Sequence, residues 1–305
     1  MLHLDEEQVR ALLEWDELIP AMENALAEFS LGQVVQPVRI MLTVEEGKRY
    51  LGVMPAVAHE AMGAKLVSFY PGNEGTGTAT HHAMILLFRP DTGEPLAVTD
   101  GRLITEMRTA AVSAVATKLL ARTDTKTLTI LGSGVQARGH LEALRLVRSF
   151  TEVRVWSPRN AERFAQEFNA HAAHSAEEAV HGADIIVVAT SAITPVLRGE
   201  WLAPGAHINA VGATRPNWRE LDDEVLRRST IYVESREPAL KESGDVIAAG
   251  KELIEIGELI AGKESGRKSV DQITLFKSVG VAVEDITAAE LVLNAKASAP
   301  RAGGS

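Results

Sequence analysis

The chain has no cysteine. That absence removes disulfides, thiolate nucleophiles and cysteine-ligated zinc together, and it fits a reducing, cytoplasmic setting. Basic runs are missing as well. With 31 Lys and Arg against 41 Asp and Glu, the formal net charge is −10. A protein that displaces counterions from a phosphate backbone needs the opposite balance, so no nucleic-acid partner is expected. Long apolar runs are also lacking. The longest, around Ile185 to Ala189, falls far short of the roughly 20 residues that cross a bilayer, so no membrane span is expected. The N-terminus, MLHLDEEQVR, is acidic and has no apolar core of the kind a secretory signal carries. What remains is a soluble protein whose partners are small molecules or other proteins.

A chain of 305 residues exceeds what a single core usually supports, so two domains are expected. Residues 5–31 carry helical periodicity, with Asp5 and Asp16 placed as N-caps and Gly32 just past the end. Short runs rich in Val, Leu, Ile and Tyr follow: PVRIMLTV, RYLGVMP, AKLVSFY, AMILLFR and PLAVTD. Gly, Pro and Asp separate them, which predicts a mostly antiparallel sheet of hairpins. Residues 104–120 read as a long helix of small side chains.

The pattern changes near residues 122–124. LTILGSG is a buried strand entering glycines, Val135–Val147 an apolar-periodic helix and VRVWS a second strand. Residues 160–168 read as a helix, followed by the strands DIIVVATS, HINAVG, TIYVES and TLFKSVG. Strand and helix alternating in this way imply parallel pairing through right-handed crossovers. The segment AVEDITAAELVLNAKA is expected to return to the first domain. The predicted division is thus residues 1–122 with 282–305, and residues 123–281. The tail, residues 299–305, is expected to be disordered or an addition to the natural chain.

Gly132-Ser133-Gly134-Val135-Gln136-Ala137 fits the G-x-G-x-x-A fingerprint, and its context, after a strand and opening a helix, gives it meaning. Gly132 allows the tight turn, Gly134 lets backbone approach a pyrophosphate, and Ala137 lets helix and strand pack closely. The fold class expected is α/β, with a Rossmann dinucleotide-binding domain beside a second, α+β domain with a mostly antiparallel sheet. NAD sites usually end their second strand with a carboxylate on the ribose hydroxyls. Here that strand runs into Val155-Trp156-Ser157-Pro158-Arg159, with an Arg where a 2′-phosphate would need a counter-charge. NADP(H) is favoured over NAD(H).

Three cations sit where a charge is awkward. Lys65 lies within a predicted strand and shares a face with Val67 and Phe69. A buried ammonium needs a partner. Arg108 falls in the opening turns of a helix, where the dipole disfavours a cation. Arg39, within PVRIML, is the third. For each, an internal salt bridge or a surface position stands beside a ligand role, and the sequence leaves these open. His81 and His82 cannot chelate one ion, because neighbours on a strand point to opposite faces, and no metal is expected. The acidic run Glu220-Leu221-Asp222-Asp223-Glu224 is read as the start of a helix, without a catalytic role.

The segments QPVR (36–39), YLGVMP (50–55), KLVSFY (65–70), RTAAVSAVATK (108–118), LGSGVQA (131–137), GAHINAVGATRPNWRELDDE (205–224), KESGDV (241–246) and FKSVGVAVED (276–285) resemble the ornithine cyclodeaminase/mu-crystallin family, nearest its ketimine-reducing mu-crystallin branch. The resemblance implies a homodimer whose first domain supplies the interface sheet, with NAD(P)(H) on the second. It places the family's carboxylate-binding cations on Arg39, Lys65 and Arg108. It places cofactor contacts on Thr80 and His81, on the loop Gly132, Gly134, Val135 and Gln136, on Ser157 and Arg159, and on Val211.

Two departures matter. Cyclodeaminases of the family carry a Glu where Gly52 stands and an Asp where Thr214 stands. Moving protons between two amines needs such acids. Their absence points to reduction of a ready-made imine, either a cyclic ketimine acid or an imine formed from a 2-oxo acid and an amine. A redox-neutral ornithine-to-proline lyase, an alanine dehydrogenase-like activity and a non-catalytic hormone-binding protein remain as alternatives. Lys65, Glu242 and water stay open as the source of the proton.

Overall fold

The computed structural model describes residues 1–59, 61–73 and 75–298; the tail expected to be disordered lies outside the described residues. The chain divides into two compact units, one of residues 1–108 with 281–305 and one of residues 109–280.

In the first unit a six-stranded sheet runs in the order β1-β6-β5-β4-β3-β2. The strands are β1 (Leu2–Leu4), β2 (Ile40–Glu45), β3 (Arg49–Val57), β4 (Met62–Phe69), β5 (His81–Phe88) and β6 (Pro95–Asp100). Strands β2 to β6 pair antiparallel, as the hairpin spacing predicts, while β1 adds in parallel to β6. Helix α1 (Glu6–Leu12) starts at Asp5, whose side chain accepts from Gln8 N while Gln8 caps Asp5 in return. Helix α2 (Trp15–Ser30) corrects the other cap: Glu14 holds that position without a side-chain bond, and Asp16 falls inside the first turn. The backbone is already extended at Leu13 and Glu14, so the second helix begins before Asp16 can cap it. Arg39 also differs from expectation, since β2 begins one residue after it.

Alternation gives this sheet two different faces. On one, Met54, Lys65 and Ile85 stand side by side across β3, β4 and β5, all nearly or wholly buried. The last helix, α11 (Ala282–Ser298), packs against these three strands and against α2. On the opposite face Ile40, Val53, Leu66 and Met84 form a row across four strands. Three of them keep 54%, 38% and 49% of their surface (Ile40, Leu66 and Met84 in turn). Among the described residues, this apolar face has no full cover in the single chain.

The long helix α3 (Arg102–Leu120) contains the division between units, which falls between Arg108 and Thr109. The strand–helix alternation itself starts further on, with β7 (Thr127–Leu131). The second unit is built on an eight-stranded, all-parallel sheet in the order β13-β12-β14-β11-β10-β7-β8-β9. Its strands are β8 (Glu152–Trp156), β9 (His171–Ala172), β10 (Ile185–Val188), β11 (His207–Ala210), β12 (Ser229–Val233), β13 (Ile254–Glu255) and β14 (Ile273–Lys277). The central strands β7, β10 and β14 are apolar along most of their length, and with β11 they are almost wholly buried, as sheets covered on both faces require. Helices α4 (Val135–Val147), α5 (Ala161–Phe168) and α6 (Ala176–Val180) fall between β7 and β10. Further along come α7 (Asp223–Arg228), α8 (Arg236–Glu242), α9 (Gly244–Ala249) and α10 (Ile256–Ile260). From β7 the chain winds outward to β8 and β9, then returns to β10 on the other side. The winding reverses between β7 and β10, the position where open α/β sheets bind ligands.

Candidate active site

The glycine turn sits at that reversal. Gly132 has φ +121°, and a Cβ there would lie 2.2 Å from the carbonyl oxygen of Ala189, so no other residue fits. Its N–H donates to Trp156 O at 2.8 Å. Gly134 is the N-cap of α4, and the space beside it is open. Ala137 is wholly buried, letting helix and sheet close together. The first N–H groups of α4 thus face open space with the helix dipole behind them. The amide oxygen of Gln136 is buried there without a hydrogen-bond partner among the described residues. An open, positive helix end behind a glycine turn fits the pyrophosphate of a dinucleotide.

Ser133 Oγ and Ser157 Oγ are 2.9 Å apart, tying the turn after β7 to the residue after β8. Arg159 follows on the exposed surface of the same turn. Val211 directly follows β11 and donates its N–H to Val188 O at 2.9 Å. Thr80 and His81 belong to the first unit, where Thr80 Oγ1 lies 3.2 Å from His81 Nδ1 and His81 stacks on Phe69 at 4.4 Å.

The loops that follow β10, β11 and β14 are held by buried acids. Glu220, wholly buried, accepts from Thr190 N at 2.8 Å, Thr190 Oγ1 at 2.6 Å, Gly212 N at 2.8 Å and Ala213 N at 2.9 Å. A Cβ on Gly212 would lie 2.3 Å from Glu220 Oε1. Behind it Lys277 Nζ stands 3.8 Å from Glu220 and 3.4 Å from Asp245. Burial pushes the Glu220 carboxyl upward, and Lys277 opposes the shift. Glu234 does the same for the third loop, accepting from Ser278 Oγ, from Val279 N at 3.0 Å and from Gly280 N at 3.2 Å. The sequence reading of Glu220 as part of a helix start is therefore corrected. Asp222 is the cap of α7, and Glu220 turns inward to bind two loops.

In the first unit the structure brings Lys65 and Arg108 onto one pair of carboxylates. Lys65 Nζ is 2.6 Å from Asp285 Oδ2. Arg108 donates from Nε to Asp285 Oδ1 at 3.0 Å and from Nη1 to Glu284 Oε2 at 2.6 Å. All four side chains are buried: Lys65 keeps 2% of its surface, Arg108 5%, and the two acids none. Internal ion pairs, one of the options left open for these cations, are thus present. An ammonium carries three N–H groups and a guanidinium five, so each cation can serve more than one acceptor. Burial, helped by the charges of Arg108 and Arg39, brings Lys65 down to about 8 against the opposing pull of Asp285. Arg39 is close enough to act on Lys65 through its charge.

Glu284 and Asp285 are the residues that sequence reasoning missed. The signal was there in retrospect: two adjacent acids inside the apolar segment AVEDITAA need counter-charges, and two cations elsewhere need the same. His171-Ala172-Ala173-His174 has a spacing seen in metal sites, yet no group of three His, Cys, Asp or Glu among the described residues is placed to hold an ion.

The ornithine cyclodeaminase/mu-crystallin family profile matches residues 2–299. The chain is 50% identical over 291 residues to a ketimine reductase mu-crystallin of Mus musculus, covering 92% of each. It is similar to the solved delta(1)-pyrroline-2-carboxylate reductase of Thermococcus litoralis in complex with NADH and L-proline. That match has a TM-score of 0.92 and 39% identity over 97% of this chain and 98% of the other. It is also similar to an archaeal alanine dehydrogenase dimer with bound NAD, at a TM-score of 0.91 and 36% identity over 98% and 96% of the two chains. By profile and by identity, the chain belongs to the ornithine cyclodeaminase/mu-crystallin family.

Proposed function

We propose that the protein reduces the C=N bond of small imines that carry a carboxylate, giving amino acids, with NADPH favoured over NADH. The substrates are cyclic ketimine acids or imines formed from a 2-oxo acid and an amine. The observation that carries this reading is the buried Lys65–Arg108 pair in a chain that also has a dinucleotide turn and is half identical to a ketimine reductase. The preference for NADPH is supported by Ser157 and Arg159 after β8, where no carboxylate stands to meet a ribose.

Arg39, Lys65 and Arg108 hold the substrate carboxylate, which shares Lys65 and Arg108 with Glu284 and Asp285 of α11. Gly132, Gly134, Val135, Gln136, Ser157, Arg159 and Val211, all of the second unit, hold the dinucleotide. When bound, the reduced nicotinamide supplies the hydride. Lys65 gives a proton to the imine nitrogen, so that C=N becomes CH–NH. The protein's own part is positioning and charge. A lyase reaction is disfavoured at Gly52, because a Cβ there would meet Met41 Sδ at 2.9 Å and Val67 Cγ1 at 3.0 Å.

The working form is a homodimer in the cytoplasm. A second copy of the chain covers the apolar row Ile40–Val53–Leu66–Met84; the exposed area supports this, as does an alanine dehydrogenase relative that is a dimer.

The test is NADPH oxidation with piperideine-2-carboxylate, pyrroline-2-carboxylate, or pyruvate plus methylamine, each run beside NADH. Consumption of NADPH with at least one imine is expected. No oxidation with any of them, or proline and ammonia released from ornithine without net NADPH use, overturns the reading.

A further inference from the structure

Lys65 is enclosed by groups that give it little help in staying charged. Its neighbours across the sheet are Met54 and Ile85, apolar and buried. The charged groups that face it are Arg39, from the segment before β2, Arg108 from α3 and Asp285 from α11. Two of the three are cations. Glu284, the acid next to it on α11, spends its short bond on Arg108. Asp285 brings an oxygen within bonding distance of Lys65, at 2.6 Å, and its second oxygen receives Arg108 Nε at 3.0 Å. A short side chain in the first turn of a 17-residue helix is held in direction, beside the positive end of the helix dipole.

We infer that Asp285 is a positioning residue of the substrate site, acting through Lys65 to keep its side chain aimed and its amine protonated. The inference rests on the role assigned above to Lys65 as carboxylate ligand and proton donor. An ammonium buried among cations gives up its proton readily. Burial and the neighbouring cations bring Lys65 down to about 8 even with Asp285 in place, which leaves little margin above neutral pH. Without the carboxylate, Lys65 becomes a neutral amine that can neither attract a carboxylate nor protonate an imine. Arg108 loses less, since Glu284 remains bonded to it.

The experiment compares the intact enzyme with Asp285→Asn across a range of pH, using NADPH and pyrroline-2-carboxylate. An Asn keeps an acceptor for Arg108 Nε and removes the charge. The alkaline limb of kcat/KM, which reports loss of the Lys65 proton, is expected to move to lower pH by about one unit or more, equivalent to about a tenfold loss on that limb. NADPH affinity stays unchanged. A limb that stays in place, with only KM altered, overturns the inference while leaving the imine-reductase reading intact. Absence of turnover in the unsubstituted enzyme with every imine removes that reading instead, and this inference with it.

Should Asp285→Asn fail to bind NADPH, Lys65→Met and the double variant Lys65→Met/Asp285→Asn decide, with pyrrole-2-carboxylate as a ligand that cannot be reduced. If Asp285 acts through Lys65, the double variant folds and binds this ligand as Lys65→Met does. A double variant that does not fold, or that binds about tenfold more weakly than the single one, sinks the inference.

Discussion

Ser133 and Ser157 meet through their hydroxyls at 2.9 Å. The glycine turn and the end of β8 are therefore one connected surface, and Arg159 extends from it. If this surface receives a 2′-phosphate, Arg159→Ala lowers the ratio of kcat/KM for NADPH over NADH by at least about tenfold, in keeping with roughly 1.5–3 kcal/mol for a charge-assisted bond. Initial rates with both nucleotides read it directly. Equal losses with the two would assign Arg159 a role unrelated to the phosphate.

Gly132 and Gly134 separate folding from binding. At Gly132 a methyl group meets Ala189 O at 2.2 Å on a backbone with φ +121°. Gly132→Ala is expected to destabilise the protein by at least about 1–3 kcal/mol. At Gly134 nothing lies within 4 Å of the point to which a methyl group would project, so Gly134→Ala keeps stability within about 0.5 kcal/mol yet weakens NADPH binding. Thermal unfolding and nucleotide titration together test the contrast.

Arg108 is bonded to two buried acids, so its removal acts twice. Arg108→Ala raises KM for the imino acid and also leaves Glu284 and Asp285 with too little compensation, a loss of about 3–5 kcal/mol in comparable buried pairs. Pairing Arg108→Met with Glu284→Gln restores much of the stability without restoring KM. Denaturation midpoints and substrate kinetics on the same preparations distinguish the two effects.

His140 and His207 carry a pH prediction. Both are wholly buried. His140 Nδ1 lies 2.7 Å from Gln136 O and Nε2 lies 2.9 Å from Ser113 Oγ. Burial lowers His140 from 6.5 to about 4. His207 falls from 6.5 to about 3 through burial first and Arg267 second. A depressed folded value means that the unfolded chain binds the proton more readily, so the stability is complete above 6.5 and is lost as pH falls toward the folded values. For His140 the full span amounts to about 3 kcal/mol. Unfolding temperatures should decline from pH 7 to pH 4, and His140→Gln should flatten part of that slope. A slope unaffected by the substitution rejects the assignment.

The strands and the glycine turn were legible because their signals are local. Alternation placed Lys65 on the covered face, and the strand-turn-helix context of Gly132 needs only a dozen neighbouring residues. The cap of α2 was misjudged because an extended break at Leu13 and Glu14 starts the helix before Asp16. The ion pairs escaped for another reason. Arg108 and Asp285 are 177 positions apart, and no periodicity links a cation in one helix to an acid in another. The same applies to Glu220, whose neighbours in sequence are acids that do cap a helix, while its own partners are the backbone amides of two loops. Lys65, Arg108 and Arg39 could be named as charges in need of a partner, but only the packing of α11 shows which acids answer two of them.

Gly212 and Glu220 contend for one small volume, the carboxylate filling the place where a side chain at 212 would begin. Neither position can drift alone: any larger residue at 212 displaces the acid, and a shorter acid at 220 leaves amides without an acceptor. In diverging relatives the two sites should therefore change together or stay fixed together, and a sequence that breaks the pair should show a rebuilt loop after β11.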